Sequence, residues 1–113
     1  MDNEIPRKPL EVSDEFKASR QQIYDYSFET FGALQAARYR EKIRAAVASL
    51  PDRYTYHPPC RHIPTKSHKY RTIILDAHLI IYRIAPSRIE VLDIVYGAMS
   101  VSRIRSVRRI RID

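Results

Sequence analysis

The sequence predicts an α+β domain in which an N-terminal antiparallel helical hairpin packs on a small, mainly antiparallel β-sheet. Residues 13–50 repeat apolar side chains at intervals of three and four, the period of amphipathic helices, and Gly32 interrupts them once. Residues 69–96 instead form three runs rich in Ile, Val, Leu and Tyr, separated by two-residue breaks. A helix pair with one apolar stripe and a sheet with one apolar face bury both surfaces by packing together.

Both helices of the predicted hairpin have recognisable ends. The first begins at Ser13 or Asp14, because both residue types cap helix N-termini, and it stops at Gly32. The second is expected over residues 34–50, and Pro51 ends it. A connection of two or three residues folds the helices back on each other. The predicted apolar stripes consist of Phe16, Ser19, Ile23, Tyr26 and Phe31 on the first helix and Ala36, Tyr39, Ile43, Ala46, Val47 and Leu50 on the second.

The three strand-like runs, residues 69–75, 78–85 and 88–96, predict a meander, and residues 10–12 add a short strand before the first helix. Alternation of side chains along each strand gives one wholly apolar face, which packs on the hairpin. The alternation is expected to separate Ile80, Tyr82 and Ile84 from Leu79, Ile81 and Arg83, and to separate Val91 and Val95, which flank Asp93, from Leu92 and Ile94. The second face is expected to be mixed and to carry Arg71, Arg83 and Asp93 together.

Three further segments are predicted around these elements. Residues 1–9 have two prolines and no apolar period, so we expect a flexible arm there, with the domain itself over residues 10–99. Residues 52–64 contain three prolines and predict a surface loop with one short strand near residues 61–64. Residues 100–113 predict a short, strongly cationic C-terminal helix or tail, because apolar side chains at helical spacing alternate there with five arginines.

The charge of the chain indicates an anionic partner. Lys and Arg number 20 against 13 Asp and Glu, which gives a net charge of +7 and an isoelectric point near 9.8. Nucleic acid or an acidic protein fits that charge, and a purely solubilising surface is the alternative. The single cysteine, Cys60, the acidic residues Asp2 and Glu4 near the N-terminus and the lack of a long apolar run predict a cytoplasmic protein without membrane association.

Two groups of residues invite a chemical interpretation that their pattern does not favour. His57, Cys60 and His62 offer imidazole and thiolate ligands, but their spacing differs from that of a zinc finger and the chain has no second cysteine. We therefore expect an ordinary loop with no metal ion and no other cofactor. Eight tyrosines interleave with arginines, as in proteins that stack bases, but most are expected to be structural. The tyrosines that stay candidates for surface contacts are Tyr54, Tyr56, Tyr70 and Tyr96.

The predicted order of arm, strand, helical hairpin, loop and meander is accompanied by short motifs. They are SDEF at residues 13–16, IYDY at 23–26, FG at 31–32, YR at 70–71, IIYRI at 80–84 and IEVLDIVYG at 89–97. Over residues 10–99 this pattern resembles the RelE/ParE superfamily of toxins from type II toxin-antitoxin systems. The resemblance implies the same α+β fold and one of two activities: cleavage of messenger RNA on the ribosome, or poisoning of DNA gyrase.

The residues that RNA cleavage requires favour the second activity. Cleavage needs a base for the 2′-hydroxyl, an acid for the leaving oxygen and cations for the charge that develops on phosphate. For the ribonuclease branch, the resemblance implies an arginine three residues before Tyr82 and a basic or imidazole side chain just after the last strand. This sequence has Leu79 at the first position and Gly-Ala-Met at residues 97–99. The ParE-like branch is therefore favoured, with no catalytic residue. A rearranged ribonuclease site would draw on Lys66, Lys69, Arg71 or Tyr96.

Partner-binding residues are predicted on the second sheet face and in the tail. The candidates for contact with the target or the antitoxin are Arg71, Arg83, Tyr96, Arg103, Arg105, Arg108 and Arg109. Arg71 and Arg83 need either Asp93 or an anionic partner, because an unpaired cation on an apolar face is costly. The apolar edge of the tail, Ile104, Val107 and Ile110, either docks on the sheet or is covered by a partner. Five arginines within nine residues favour an anionic target.

The sequence thus predicts a toxin that binds and inhibits DNA gyrase and that a small, acidic cognate antitoxin neutralises. The resemblance implies an antitoxin that wraps the toxin, with acidic side chains and a helix laid in an apolar groove. Two alternatives stay open. One is a ribosome-dependent messenger RNA endoribonuclease, and the other is a non-enzymatic nucleic-acid-binding module that shares the fold.

Overall fold

A computed structural model describes residues 5–113, in which two long helices precede a four-stranded sheet and a helical C-terminal segment. The elements in chain order are β1 (Leu10–Val12), α1 (Asp14–Phe31), α2 (Ala33–Ala48), α3 (Leu50–Arg53), β2 (Tyr70–Ile74), β3 (His78–Ile84), β4 (Ile89–Tyr96) and α4 (Val101–Ser106), followed by a 3-10 turn at Val107–Arg109. The predicted α+β fold class is confirmed. Each strand of the predicted meander is found within one residue of its expected ends.

The helical hairpin turns on a single residue. The Ser13 hydroxyl accepts a hydrogen bond from the Phe16 N–H at 2.9 Å and so caps α1, as predicted. Gly32 separates the two helices with a φ of +92°, a conformation that residues with a Cβ rarely adopt. The connection is therefore shorter than the two or three residues expected. The hairpin buries Phe16 from α1 and Ala36, Ile43 and Val47 from α2.

Two aromatic side chains of α1 lie outside its buried stripe. Tyr26 and Phe31 are expected on the stripe, but both are exposed. The stripe runs from Phe16 through Ile23 to Ser27, at intervals of seven and four residues, so that the helical period buries a serine in place of the tyrosine beside it. The predicted stripe of α1 is therefore wrong at these two aromatic positions.

Pro51 does not end a helix, because it lies inside the short helix α3. Helix α2 stops at Ala48, and Pro51 lies in the first turn of the short helix α3, where a missing N–H leaves no hydrogen bond unmade. Beyond α3, the loop pairs with the sheet through a single bridge between Pro59 and Arg71. The short strand predicted near residues 61–64 is therefore wrong, and the contact with the sheet occurs earlier in the loop.

The sheet has the order β1-β4-β3-β2 and is mixed. Strands β2, β3 and β4 are antiparallel neighbours, as the meander predicts, whereas β1 runs parallel to β4 with Leu10 opposite Ile89. Because β1 has only three residues, it pairs with only the first part of β4. The second half of β4 therefore has helix α1 and the C-terminal segment as its neighbours on that side.

A β-bulge in β4 changes which side chains face the hairpin. Ile81 lies opposite Asp93, whereas the next residue, Tyr82, lies opposite Val91, so that β4 contains one extra residue at this point. The helix-facing core then includes Val91 and Ile94, and the core of the opposite face includes Leu92 and Val95. The predicted faces of β4 are wrong beyond Leu92, because that prediction assumes unbroken alternation.

Both faces of the sheet are covered. The helices cover one face, and on the other face the C-terminal segment contributes Ile104 and Val107 to a second core. The remaining buried members of this second core are Cys60, Ile63, Tyr70, Ile81, Leu92 and Val95. The second face is therefore largely apolar rather than mixed, and the tail docks on the sheet, which is one of its two predicted arrangements.

Part of the expected N-terminal arm contacts the domain. Residues 1–4 lie outside the described residues. Within residues 5–9, Ile5 packs against the helix-facing core, and Tyr54 donates a hydrogen bond to the Pro6 carbonyl at 2.6 Å. The Lys8 ammonium donates to the Ala85 carbonyl at 2.8 Å. Residues 5–9 therefore contact the domain through both apolar packing and hydrogen bonds.

Candidate functional site

A groove with aromatic walls runs beside α1. It lies between the C-terminal half of α1 and the end of the sheet where β3 begins and β4 ends, and its volume is about 620 Å³. The side chains that line this aromatic groove include Ile23, Tyr26, Phe31, Tyr39, His78 and Tyr96. Tyr26, Phe31 and Tyr96 are each more than half exposed. Exposed aromatic side chains around one groove form the kind of apolar surface that protein partners cover.

Three rings form a row at the sheet side of the groove. The Tyr39 hydroxyl lies 2.8 Å from His78 Nδ1, and the edge of the His78 ring meets the Tyr96 ring with centroids 5.8 Å apart. Burial lowers the pKa of His78 below its ordinary value, although Asp76 acts in the opposite direction. His78 is therefore neutral at pH 7, and the row adds no positive charge to the groove.

A second, more polar cavity adjoins the aromatic groove. It has a volume of about 430 Å³ and lies between α1, the end of β4 and α4. Asp93 on its wall accepts hydrogen bonds from the Ser19 hydroxyl at 2.7 Å and from the Ile94 N–H at 2.8 Å. Burial raises the pKa of Asp93, although these two hydrogen bonds act against the shift. Asp93 thus binds Ser19 of α1, and of the two arrangements expected for Arg71 and Arg83, the ion pair with Asp93 is wrong.

Arg83 forms an ion pair with Glu90 on the neighbouring strand β4. Arg83 Nε donates to one carboxylate oxygen at 2.7 Å, and Arg88 Nε donates to the other at 2.9 Å. The side chain of Glu90 is only 9% exposed. Burial alone would raise the pKa of Glu90, but the hydrogen bonds from both arginines outweigh it and hold the pKa below its ordinary value. Glu90 is therefore ionised at neutral pH. We call Arg83, Arg88 and Glu90 the arginine latch.

The arginine latch also fastens the C-terminal segment to the sheet. Arg83 Nη2 donates to the Ile110 carbonyl at 3.2 Å, and its Nη1 donates to the Arg108 carbonyl at 3.4 Å. Arg88 Nη2 donates to the Ile112 carbonyl at 2.7 Å. Hydrogen bonds from charged donors are stronger than those between neutral groups. The segment is consequently held at both ends, by buried Ile104 and Val107 and by these carbonyl contacts.

The arginines of the C-terminal segment point outward. Arg103, Arg105, Arg108, Arg109 and Arg111 are all exposed. Arg108, Arg109 and Arg111 line, together with Arg83, a concave site of about 560 Å³. Arg105 Nε donates to the His62 carbonyl at 3.3 Å, so the loop before β2 lies beside the segment. The segment thus presents a dense row of cations on a fixed backbone.

Arg71 lies on the other face of the sheet from Arg83. The two-residue turn between β2 and β3 places Tyr70 opposite Arg83 and Arg71 opposite Tyr82, so that the expectation of a shared face is wrong. The Arg71 guanidinium donates to the carbonyls of His57 and His68, both at 2.9 Å. Arg71 therefore ties together the loop that precedes β2.

The structure groups the predicted site residues in two places. Arg83, Arg108 and Arg109 surround the concave site of the tail, and Tyr96 and Arg103 line the polar cavity beside α1. Arg71 and Arg105 line neither cavity, and both donate to main-chain carbonyls of the loop before β2. The sequence prediction missed Tyr26, Phe31 and His78 of the aromatic groove. Aromatic side chains of one helix that fall outside its buried stripe are the signal for such a surface.

The four candidate tyrosines separate into two pairs. Tyr54 and Tyr70 are buried, whereas Tyr56 and Tyr96 are exposed.

Among residues 5–113, no group of three His, Cys, Asp or Glu side chains lies close enough to hold a metal ion. Cys60 is buried, and its N–H donates to the Tyr70 carbonyl at 2.7 Å. In the same part of the chain, no helix is long and apolar enough to cross a membrane.

The two positions that bear on RNA cleavage are structural. Leu79 packs against the second core. Gly97 closes the end of the β3-β4 pair, where its N–H donates to the Ala77 carbonyl at 2.7 Å. A site that combines Tyr96 with Lys69 is ruled out by distance. Tyr96 pairs with His78, whereas Tyr70, next to Lys69, pairs with Arg83, and the five steps along β3 span about 17 Å.

A helical hairpin on one face of a four-stranded sheet and a docked cationic segment on the other match the fold that the RelE/ParE resemblance implies. The family model that describes the ParE toxin of the type II toxin-antitoxin system parDE matches residues 10–101. Toxin ParE1 of Caulobacter vibrioides is 25% identical over 93 residues, which cover 82% of this chain and 93% of the relative. The chain therefore belongs to the ParE toxin family of type II toxin-antitoxin systems.

A solved structure shows the same fold. It is described as the chromosomal ParDE TA system from P. aeruginosa, and it superposes with a TM-score of 0.67 at 19% sequence identity. The superposition covers 81% of this chain and 98% of that chain. Because the identity is low, the likeness concerns the arrangement of helices and strands.

Proposed function

We propose that this ParE-family chain acts in the cytoplasm as a toxin that binds and inhibits DNA gyrase, and that a small, acidic cognate antitoxin neutralises it. The observation that carries the proposal is the C-terminal segment, which exposes five arginines while the arginine latch anchors its backbone. Side chains on a fixed backbone lose less conformational freedom on binding, and arginine suits recognition of anionic surfaces. The target contacts are Arg103, Arg105, Arg108 and Arg109.

Inhibition by binding is favoured over catalysis because of what occupies the cleavage positions. Leu79 is packed in a hydrophobic core and residues 97–99 carry no titratable side chain. Neither position offers the base, the acid or the cation that cleavage of an RNA phosphodiester requires. The chain then has no catalytic residue and needs no cofactor.

A ribosome-dependent endoribonuclease is the second candidate function, and one observation favours it. His78, Tyr96 and Arg103 line the same polar cavity, so an imidazole, a phenol and a guanidinium occur together. Asp93 and Glu15 also line that cavity and repel an approaching phosphate. The carboxylates therefore weigh against this candidate.

The aromatic groove is the proposed site for a helix of the antitoxin. Tyr26, Phe31 and Tyr96 expose apolar rings around a concave surface, and an amphipathic helix covers such a surface with one apolar stripe. The basic arginines of the C-terminal segment, together with Tyr96 and Arg103 at the adjoining cavity, suit acidic side chains beyond the helix. One partner that meets both surfaces neutralises the toxin by covering the arginines.

Induction of the chain in growing cells without an antitoxin tests the choice of target. We expect growth arrest together with loss of negative supercoiling in a reporter plasmid, while messenger RNA stays intact. Cleaved messenger RNA with unchanged plasmid topology would establish the ribonuclease instead. Unaffected growth at a verified level of folded protein would leave only the benign nucleic-acid-binding module.

Replacement of Arg103, Arg105, Arg108 and Arg109 by Ala tests the target contacts. Because these side chains are exposed, the variant should fold normally and lose toxicity and gyrase inhibition by about tenfold or more. The control variant removes three positive charges from the hairpin, at Arg38, Arg40 and Arg44, and should stay toxic. Full toxicity of the folded tail variant would show that the tail arginines are only a solvated surface.

Two exposed tyrosines offer a matched test of the groove. Tyr26 is 65% exposed and lines the groove, whereas Tyr56 is 69% exposed and lies outside it. We expect Tyr26→Ser to weaken antitoxin binding by about tenfold, the usual effect of truncating an aromatic anchor, and Tyr56→Ser to change it less than about twofold. Calorimetric titration of each variant with the antitoxin measures both effects. Equal losses for the two variants would argue against the groove as the antitoxin site.

A further inference from the structure

The positive charge of the chain is concentrated in its second half. Residues 53–113 contain twelve Lys and Arg against four Asp and Glu, a net charge of +8. Residues 1–52 contain eight Lys and Arg against nine Asp and Glu, and so are close to neutral. The second half forms three of the four strands, the loop before them and the C-terminal segment. An anionic partner is therefore attracted to this side of the molecule and not to the hairpin.

Some cations of the second half are already engaged. Arg83 and Arg88 bind Glu90, and Arg71 binds main-chain carbonyls of the loop. The exposed cations that lie together are Lys69, Arg105, Arg108, Arg109 and Arg111, which we call the basic surface. Within residues 5–113, no carboxylate lies within ion-pair distance of these five side chains.

The contacts around Tyr70 and His62 bring the two parts of the basic surface together. Lys69 and Arg83 both lie over the Tyr70 ring, at 5.6 and 5.7 Å from its centroid, and Arg83 in turn contacts the Arg108 carbonyl. Arg105 reaches the His62 carbonyl in the loop. The side chains of Arg108, Arg109 and Arg111 surround a concave site of about 560 Å³. The basic surface is therefore one continuous patch with a concave centre.

The composition of the basic surface distinguishes between kinds of anionic partner. Protein interfaces have an apolar core rich in aromatic side chains, whereas binding to a phosphate backbone requires cations alone. Among residues 5–113, the concave site at the centre of the basic surface is lined by four arginines and Ile110, and by no aromatic side chain. The absence of an exposed aromatic ring there also disfavours single strands, which stack their bases on such rings. Arginine forks match phosphate oxygens in geometry.

We propose that the basic surface binds the phosphate backbone of duplex DNA, so that the toxin contacts DNA directly as well as the gyrase that holds it. The choice of DNA over duplex RNA depends on the proposed function, because gyrase supplies that DNA. In this arrangement the basic surface contacts the DNA that gyrase holds, and the aromatic groove binds the antitoxin. Covering of the basic surface by acidic antitoxin side chains then blocks the DNA contact.

Fluorescence anisotropy with a labelled 30-base-pair duplex of mixed sequence tests the proposal without gyrase. The logarithm of the wild-type binding constant should fall linearly with the logarithm of the salt concentration. The magnitude of this slope should decrease by about 0.9 for each phosphate contact that a variant removes. The variant R105A/R108A/R109A should bind at least about tenfold more weakly and lower the slope by about 2.7. The control variant R38A/R40A/R44A removes as much charge from the hairpin and should bind within about threefold of the wild type.

Circular dichroism melts establish that each variant is folded before the affinities are compared. Equal losses for the tail and hairpin variants would overturn the proposal, because they would show diffuse attraction. Tighter binding of single-stranded RNA, or of a polyglutamate peptide while the duplex is not bound, would also overturn it. Gyrase inhibition without any DNA binding would remove this inference and keep the proposed function. DNA binding without gyrase inhibition would keep this inference and remove the proposed function.

Discussion

Replacing Glu90 by Gln is expected to destabilise the domain and to loosen its C-terminal segment. Glu90 is the carboxylate of the arginine latch, with contacts of 2.7 and 2.9 Å to Arg83 and Arg88. Gln keeps the shape and one acceptor oxygen but removes the charge that both guanidinium groups face. The arginines are then left without a counter-ion next to an apolar core, at side-chain exposures of 16% and 31%.

The size of the effect follows from how far the latch is buried. Breaking a fully buried ion pair costs about 3–5 kcal/mol because the remaining charge is uncompensated. Arg83 keeps its hydrogen bonds to the carbonyls of Arg108 and Ile110, and Arg88 is partly solvated, so we expect about 2 kcal/mol. For a domain of this size, that corresponds to a fall in Tm of about 8 °C.

Glu41 provides the matched control. It binds Arg44 through two hydrogen bonds, but the side chains of this pair are 61% and 65% exposed. Glu41→Gln should cost less than about 0.5 kcal/mol. Urea denaturation of both variants measures the difference, and trypsin cleavage after Arg108 and Arg109 should be faster in the Glu90 variant. Equal destabilisation by the two substitutions would refute the account of the latch.

The pH dependence of the same comparison has a definite sign. The folded-state pKa of Glu90 is lowered, so the ion pair contributes its full stability above the unfolded pKa of about 4.3 and loses it as the pH falls through the folded pKa. The difference between wild type and Glu90→Gln should therefore shrink in acid. A difference that is constant from pH 7 to pH 3 would contradict the assignment of an ionised Glu90.

Three further predictions concern the core, the turn and the polar cavity. Tyr82→Phe should cost about 1–3 kcal/mol in urea denaturation, because the Tyr82 hydroxyl donates to the buried Tyr54 carbonyl at 2.6 Å; a neutral result would show that water replaces this bond. Gly32→Ala should cost about 1–2 kcal/mol from backbone strain at a φ of +92°, since nothing lies within 4 Å of an added Cβ, and thermal melts that match wild type would contradict this. Asp93→Asn should raise Tm at pH 7, because burial raises the Asp93 pKa and penalises its ionised form, while Asn still accepts from Ser19; the gain should vanish as the pH falls through the folded pKa towards about 3.9, and a gain that grows in acid would refute it.

Local signals were sufficient to predict the elements of the fold. Ser13 and Gly32 mark the ends of α1 because one supplies a capping hydroxyl and the other a positive φ. The two-residue breaks at Asp76-Ala77 and Pro86-Ser87 mark the strand ends because they interrupt the runs of strand-forming residues. These features act within a few residues, and the sequence contains them directly.

Tertiary register was the part that the sequence did not contain. One extra residue in β4 reverses the faces of its second half, and an apolar run such as residues 91–95 looks the same with or without a bulge. Glu90 lies before the bulge, directly opposite Arg83, whereas Asp93 lies beyond the bulge and accepts a hydrogen bond from Ser19 of α1. Of the two alternatives for the arginines, the one that pairs them with Asp93 is wrong because Glu90 is the cross-strand neighbour of Arg83.

Only part of the candidate site could be predicted from the sequence, because the rest depends on tertiary contacts. The arginines of the C-terminal segment form a conspicuous run, and their exposure agrees with helical spacing of Ile104 and Val107. The aromatic groove combines side chains from α1, α2 and two strands, so that no single stretch of sequence announces it. The prediction places Tyr26 on the apolar stripe three residues after Ile23, whereas the buried residue of α1 at this point is Ser27.

In the proposed function, the chain inhibits gyrase by binding through its C-terminal arginines. The most direct measurement is a supercoiling reaction with purified gyrase and relaxed plasmid, titrated with the wild-type chain and with the variant R103A/R105A/R108A/R109A. We expect dose-dependent inhibition by the wild type, at least about tenfold weaker inhibition by the variant, and full recovery when the cognate antitoxin is added. Complete supercoiling in the presence of excess folded wild-type chain, with cleavage of messenger RNA on programmed ribosomes, would contradict the claim.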